Sequence, residues 1–177
     1  MIVKGSEMEH AAVEQVAALM CAAARTAPKG KGIDNLSTLV VAGGDLKKIS
    51  AEMRRIGEEM GDAFWARDAA NVDASAALVV LGQRPAPMNI PGCGFCGFED
   101  CKACVKAGAA CAISAGDLGI ATCSAAAVAA LHHIDNRIMY RAGRAALNLG
   151  LFGDEKVTMA YGIPLSVTGK SPYFDRK

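Results

Sequence analysis

Seven cysteines occur in the 177-residue chain, and four of them fall inside Pro91-Gly-Cys93-Gly-Phe-Cys96-Gly-Phe-Glu-Asp-Cys101-Lys-Ala-Cys104. Thiols crowded this densely can form disulfides, hold a zinc ion or hold an iron–sulfur cluster, and each chemistry demands its own spacing. Disulfides fit least. Seven is an odd number, and the chain opens Met1-Ile-Val-Lys-Gly-Ser-Glu with no basic stretch before an apolar core, so a reducing, cytoplasmic setting is expected. Zinc sites built from two Cys-x-x-Cys knuckles ordinarily separate them by roughly 12 to 20 residues. Here four residues separate Cys96 from Cys101, which disfavours two hairpins facing each other across one ion.

A [4Fe–4S] cube is larger than one ion, and a tight loop can wrap it with thiolates at successive corners. Gly92, Gly94 and Gly97 suit such a loop, because glycine accepts positive φ and lets backbone N–H groups approach the sulfurs. Phe95 and Phe98 would screen the cluster from water, one of the levers on its potential. Cys93, Cys96 and Cys101 share the loop, while Cys104, Cys111 and Cys123 compete for the fourth corner. Asp100 is placed to cap a short helix over Cys101 to Val105, with Gly108 as its stop. A helix ending there lets the chain turn back and bring Cys111 to the cluster. A continuous helix would carry Cys111 roughly 15 Å from Cys101, at about 1.5 Å per residue, and leave Cys104 as the reachable choice. Local spacing by itself leans to Cys104.

The elements that must position this loop follow from hydrophobic period and punctuation. With 52% hydrophobic residues the chain can bury a core, and its length suits one domain over 1–177, with the metal-binding segment at about 85–116. A net charge of +1 gives no electrostatic footprint for nucleic acid. The longest apolar run, Gly119 to Leu131, is shorter than the roughly 20 residues of a membrane span, so no membrane association is expected. A first helix is expected from Ser6 to Arg25 behind a Ser6/Glu9 capping box. Ser37 to Ala42 and Ala76 to Gly82 read as buried strands. Asp45 introduces a helix to Met60 with Leu46, Ile49, Met53 and Ile56 at helical spacing. A short helix from Asp62 to Ala70 carries Trp65 as a core anchor. The proline-rich stretch Gln83 to Gly92 delivers the chain to the cysteines. A small-residue helix from Asp117 to Leu131 follows, then a helix from Arg137 to Leu149 capped by Asp135 or Asn136, then a strand from Lys156 to Ile163 ended by Pro164.

Other polar groups have plainer readings. Thr26 to Asn35 is a loop whose lysines among glycines could cradle an anion, although a solvated turn explains them as well. His132 and His133 suit a polar helix terminus. Arg137, Arg141 and Arg144 share one face of a helix and suit pairing with local acids more than ligand binding. Cys21 and Cys123 read as small buried hydrophobes. Lys170, Tyr173, Asp175 and Arg176 make the C-terminal tail unusually well furnished. No residue stands out as general acid, base or nucleophile, although Tyr140 and Tyr161 are proton-bearing.

Taken together, Cys93-Gly-x-Cys96-Gly-x-x-x-Cys101, Asp117-Leu-Gly-Ile-Ala, Asp135-Asn-Arg-Ile-Met-Tyr-Arg-Ala-Gly and Gly162-Ile-Pro-Leu-Ser-Val-Thr-Gly-Lys-Ser-Pro-Tyr-Phe-Asp-Arg176 resemble the DUF2148 family of uncharacterised ferredoxin-domain proteins, across essentially the whole chain. That resemblance implies a [4Fe–4S] protein of anaerobes, with the cysteine shortly before Asp-Leu-Gly-Ile-Ala, Cys111, as fourth ligand beside Cys93, Cys96 and Cys101; Cys104 is the alternative. The order of elements also resembles, more distantly, the flavin-dependent nitroreductases. This implies an α+β fold, a small buried sheet flanked by helices with the cysteine loop inserted. It further implies a homodimer or higher homo-oligomer with FMN at the subunit interface. Arg25, Lys29 and Asn35 would then lie by the flavin, and Lys170 and Arg176 near its phosphate. One departure is plain: nitroreductases begin with an arginine-rich phosphate-binding stretch, and here that region reads Ser6-Glu-Met-Glu-His10. Two functions are expected. In one, the cluster passes electrons to a partner protein or assists reduction of a small substrate, by way of FMN if flavin is bound, which would make the protein an oxidoreductase. In the other, the cluster is structural or sensory and the protein is no enzyme.

Overall fold

The computed structural model describes residues 1–174. Six α-helices, α1 (Gly5–Thr26), α2 (Leu46–Met60), α3 (Phe64–Asp73), α4 (Cys101–Lys106), α5 (Ala112–Leu131) and α6 (Tyr140–Asn148), accompany four strands in the described chain. The strands are β1 (Leu36–Ala42), β2 (Ala77–Gln83), β3 (Asp135–Asn136) and β4 (Met159–Ser166), in the antiparallel order β1-β2-β4-β3. β2 is buried along its whole length because helices cover both faces of the sheet. Successive side chains of a strand point to opposite faces, so β2 feeds two cores. Ala77, Val79 and Leu81 pack with Val13 and Met20 of α1 and Leu118 and Ala125 of α5. Leu78 and Val80 pack with Ile49 and Met53 of α2, Trp65 of α3 and Ala142 of α6. This is the expected α+β architecture. Trp65 is the anticipated core anchor, 3% exposed.

Four local expectations are corrected. α1 begins at Gly5 with Lys4 at its N-cap and no side-chain cap bond, so Ser6 sits inside the first turn and the Ser6/Glu9 box does not form. Asp135 and Asn136 do not cap a helix; they pair with Ser166 and Leu165 of β4. Met139 then exchanges two backbone hydrogen bonds with Gly162, of 2.7 and 3.0 Å, which keeps the chain extended and delays α6 to Tyr140. β4 runs through Pro164 instead of stopping there. Alternate residues of a strand send their N–H groups to the same side. Gly162 donates to Met139, so Pro164 would donate towards residues 137–138, which belong to no strand, and its missing N–H costs no ladder bond. Finally, α5 starts at Ala112, five residues before the expected Asp117, and an 18-residue stretch of its 20 residues has a mean hydropathy of 1.4. By length and composition alone it could cross a membrane. In this fold it is a core helix, with Ser114, Asp117 and Thr122 buried beside its alanines.

The arginine stripe is divided among tasks. Arg137 precedes α6 and donates to the carbonyl of Tyr173 at 3.2 Å. Arg141 bridges Asp62 (3.1 Å) and Asp68 (3.0 Å), joining the α2–α3 turn to α6. Gly143 lets α6 press on β4, since a Cβ there would stand 2.1 Å from the carbonyl oxygen of Ala160. Tyr173 is buried, its hydroxyl 2.9 Å from Ser75. Burial pushes its phenol well above the usual range, against the lowering effect of that bond.

Candidate metal centre

The sheet delivers the chain to the cysteines through Arg84, whose N–H donates to Asn35 (3.1 Å), and Pro85, whose carbonyl accepts from Cys111 N–H at 3.3 Å. Cys111 is thereby held against the exit of β2, at the N-cap of α5. The start of a long helix favours negative charge on the group placed there. Asp100 caps α4 as expected, its carboxylate accepting from Ala103 N–H at 2.7 Å. Gly108, at φ 65°, ends α4. Gly108 N–H returns to Val105 and Ala109 N–H to Cys104, the paired bonds of a Schellman stop. The chain therefore reverses, and Cys111 comes back to the loop.

Between these elements lies a cavity of about 220 Å³, lined by Cys93, Cys96, Cys101 and Cys111 together with Phe95, Phe98, Met88 and Ile113. Cys104 does not line it. Its thiol is 2% exposed and faces the carbonyls of Ala109 (3.5 Å) and Ala110 (3.7 Å) inside the Gly108 turn. Burial, then a hydrogen bond with the Cys96 thiol and the nearby charges of Cys96, Cys111 and Cys101, pushes the Cys104 thiol up. Cys123 is exposed on the fourth turn of α5, roughly 18 Å along the axis from Cys111 at about 1.5 Å per residue. It is neither at the cavity nor the buried hydrophobe expected. Cys21 is half-buried, and burial raises its thiol against the lowering influence of Thr38 and Arg25. Among the described residues no three His, Cys, Asp or Glu side chains converge closely enough to hold one metal ion. Gly92, Gly94 and Gly97 have φ of 67°, 53° and 83°, and a Cβ would meet nothing nearer than 3.8 Å. Glycine is required there by backbone conformation, not by space. Phe95 is 73% exposed, so it walls the cavity without closing it.

The candidate anion loop is built differently. Lys29 is 7% exposed and its ammonium lies among the last carbonyls of α1, donating to Arg25 (2.5 Å) and Ala27 (3.0 Å). Arg25 is bonded to Asp34 and to the Leu36 carbonyl, both at 2.6 Å. Lys31, at φ 55°, donates to the Met88 carbonyl at 3.2 Å. The Asn35 carbonyl accepts from Arg84. Lys170 has an interaction partner, and Arg176 lies outside the described residues.

Sequence reasoning missed the groups that join these regions. Asp117, 4% exposed, receives Gly30 N–H on both carboxylate oxygens, at 3.0 and 3.1 Å. Gly30 is so close to the cavity wall that a Cβ would stand 2.9 Å from Ile113. Gln83, fully buried, donates to Ser114 (3.0 Å), and Ser114 donates to the Arg84 carbonyl (3.1 Å), fastening the exit of β2 to the first turn of α5. Polar residues inside apolar runs were the available signal.

Comparison with known proteins gives three kinds of likeness. The family described as uncharacterized protein containing a ferredoxin domain, DUF2148, matches residues 107–176, which include Cys111 but not the other three cavity thiols. An uncharacterized protein of Archaeoglobus fulgidus is 41% identical over 184 residues, covering 99% of this chain and 98% of that protein. Among solved structures, a nitroreductase with bound FMN from Desulfitobacterium hafniense superposes with a TM-score of 0.57 at 16% identity, over 89% of this chain and 79% of its own. A BluB-like flavoprotein from Clostridium difficile gives 0.52 at 16% identity, over 99% and 87%. These structures share the fold.

Proposed function

The chain belongs to the DUF2148 family of ferredoxin-domain proteins, and on that footing we propose that it is a [4Fe–4S] redox protein on a nitroreductase-like scaffold, with Cys93, Cys96, Cys101 and Cys111 as ligands. The observation that supports this reading is the 220 Å³ cavity lined by those four thiols and not by Cys104. All-thiolate donor sets suit iron–sulfur clusters, and such a cluster supplies one-electron transfer. The chain's own residues hold and tune it. The Schellman stop at Gly108 returns Cys111 to the cavity at the start of α5, and Phe95 and Phe98 wall it on one side. Its role is electron transfer to a partner protein or assistance in reducing a small substrate, in a homo-oligomer built as one domain. The competing reading is a structural or sensing cluster without catalysis.

FMN has less support. The fold is shared with a nitroreductase that carries FMN. Yet Arg25 and Lys29, the cations nearest the expected flavin position, are engaged with Asp34, Leu36 and the end of α1. Their cationic groups are thus turned to the protein's own acceptors and not offered to a flavin. Anoxic purification with iron, acid-labile sulfide and flavin quantified per protomer tests the reading. About four iron and four sulfide, as a cubane requires, without stoichiometric flavin is the expected result. Stoichiometric zinc without sulfide would overturn it, and stoichiometric flavin beside the cluster would restore the flavin-dependent reading. If the loaded protein exchanges no electrons with dithionite or viologens, the structural reading takes its place.

A further inference from the structure

A second cavity, of about 130 Å³, lies where β4 runs past its pairing with β3, between α5 and α6; Leu118, Tyr140, Arg144, Leu147, Met159 and Tyr161 line it. Tyr140 and Arg144 are four residues apart on α6 and so share a face. Leu118, Leu147 and Met159 supply apolar wall, and no aspartate or glutamate lines the cavity. Arg144 differs from its neighbour Arg141, which Asp62 and Asp68 hold. Arg144 is exposed and has no hydrogen-bond or ion-pair partner among the described residues. A guanidinium left uncompensated beside an apolar wall is matched by a carboxylate, which it can bind with two parallel hydrogen bonds. An enclosed apolar cavity of roughly 150 Å³ takes a benzene ring, so this slightly smaller cavity, open to solvent, can seat an apolar body of at most about that size with its carboxylate outside, on the exposed Arg144.

We infer that the cavity between α5, α6 and β4 is a binding site for a small monocarboxylate with an apolar body, its carboxylate on Arg144 and its body against Leu118, Leu147 and Met159. Inorganic phosphate would leave the apolar wall unused, and a neutral ring would leave Arg144 unused. The cavity is built from residues outside the cysteine segment, so this inference stands apart from the cluster reading.

Calorimetric titration of the anoxically purified protein with benzoate, benzamide and inorganic phosphate tests it. The fluorescence of Trp65, the single tryptophan, gives a second signal, because its ring centroid lies 6.3 Å from that of Tyr140. Saturable benzoate binding is expected, with benzamide at least about tenfold weaker through loss of one charged hydrogen-bonded contact, and phosphate at least about tenfold weaker through loss of the apolar contact. Arg144→Gln, at an exposed helix position, should weaken benzoate by a similar factor and leave iron content unchanged. Arg55→Gln, an exposed arginine of α2 paired with Glu52 and Glu59, should leave binding unchanged. No saturable benzoate binding, equal binding of phosphate or benzamide, or an equal loss in Arg55→Gln would overturn the inference.

Discussion

The cysteine loop and the Lys29-Gly-Lys-Gly loop both look in sequence like ligand sites, and the structure treats their functional groups in opposite ways. Cys93, Cys96, Cys101 and Cys111 end on a cavity wall. Lys29, Arg25 and Lys31 end on carbonyls and a carboxylate of the same protein. Crowded thiols in a cysteine loop have few structural uses, so their crowding points to a ligand. Cations near a helix end have an immediate use, because the last carbonyls of the helix lack partners. Residue type and glycine content therefore say less than whether the backbone itself can consume the group.

Asp117 holds Gly30 of the lysine loop beside Met88 and Ile113 of the cavity wall, which makes it the sharpest place to test the contrast. Asp117→Ala leaves the part-buried Gly30 N–H without its acceptor and should cost about 1 kcal/mol, read by urea unfolding, together with faster loss of iron to a chelator. Unchanged iron retention would show that the lysine loop does not brace the cavity. Lys29→Met should cost about 1–2 kcal/mol through the lost helix-end bonds and leave flavin content unchanged. A loss of bound flavin with unaltered stability would reverse the assignment of that residue. Gly97→Ala, at φ 83°, should strain the loop by about 1–2 kcal/mol and lower cluster retention while hardly moving global unfolding, because the loop is exposed.

The smallest effect expected is a pH dependence. Burial opposes ionisation of Asp34, but the Arg25 bond and the Leu36 N–H outweigh it and hold the carboxyl below the usual range. Its contribution to stability is thus present above the unfolded carboxylate value of about 4 and is lost as pH falls through the lower folded value. The pair is partly exposed, so the change should be under about 1 kcal/mol and absent in Asp34→Asn, measured by thermal melts across the acid range.

Much of this was legible in the chain. β1, β2 and α2 fall within a residue or two of expectation because their apolar runs are closed by turn residues. The Asp100 cap and the Gly108 stop were readable because caps are local. What escaped depends on distance. β3 exists because β4 offers it an edge, and Pro164 stays in its strand because the residues opposite its missing N–H, 137–138, belong to no strand. The Gly30–Asp117 and Gln83–Ser114 bonds join residues 87 and 31 positions apart, and no local period announces such pairs. The fourth thiol was ambiguous for the same reason, since local spacing leaned to Cys104 and the family resemblance to Cys111.

That ambiguity carries the central claim, and one paired measurement addresses it: iron and acid-labile sulfide per protomer in anoxically purified Cys111→Ser and Cys104→Ser proteins. The account predicts that Cys111→Ser loses the four-iron cluster and Cys104→Ser keeps it. Loss of the cluster in Cys104→Ser alone would contradict it.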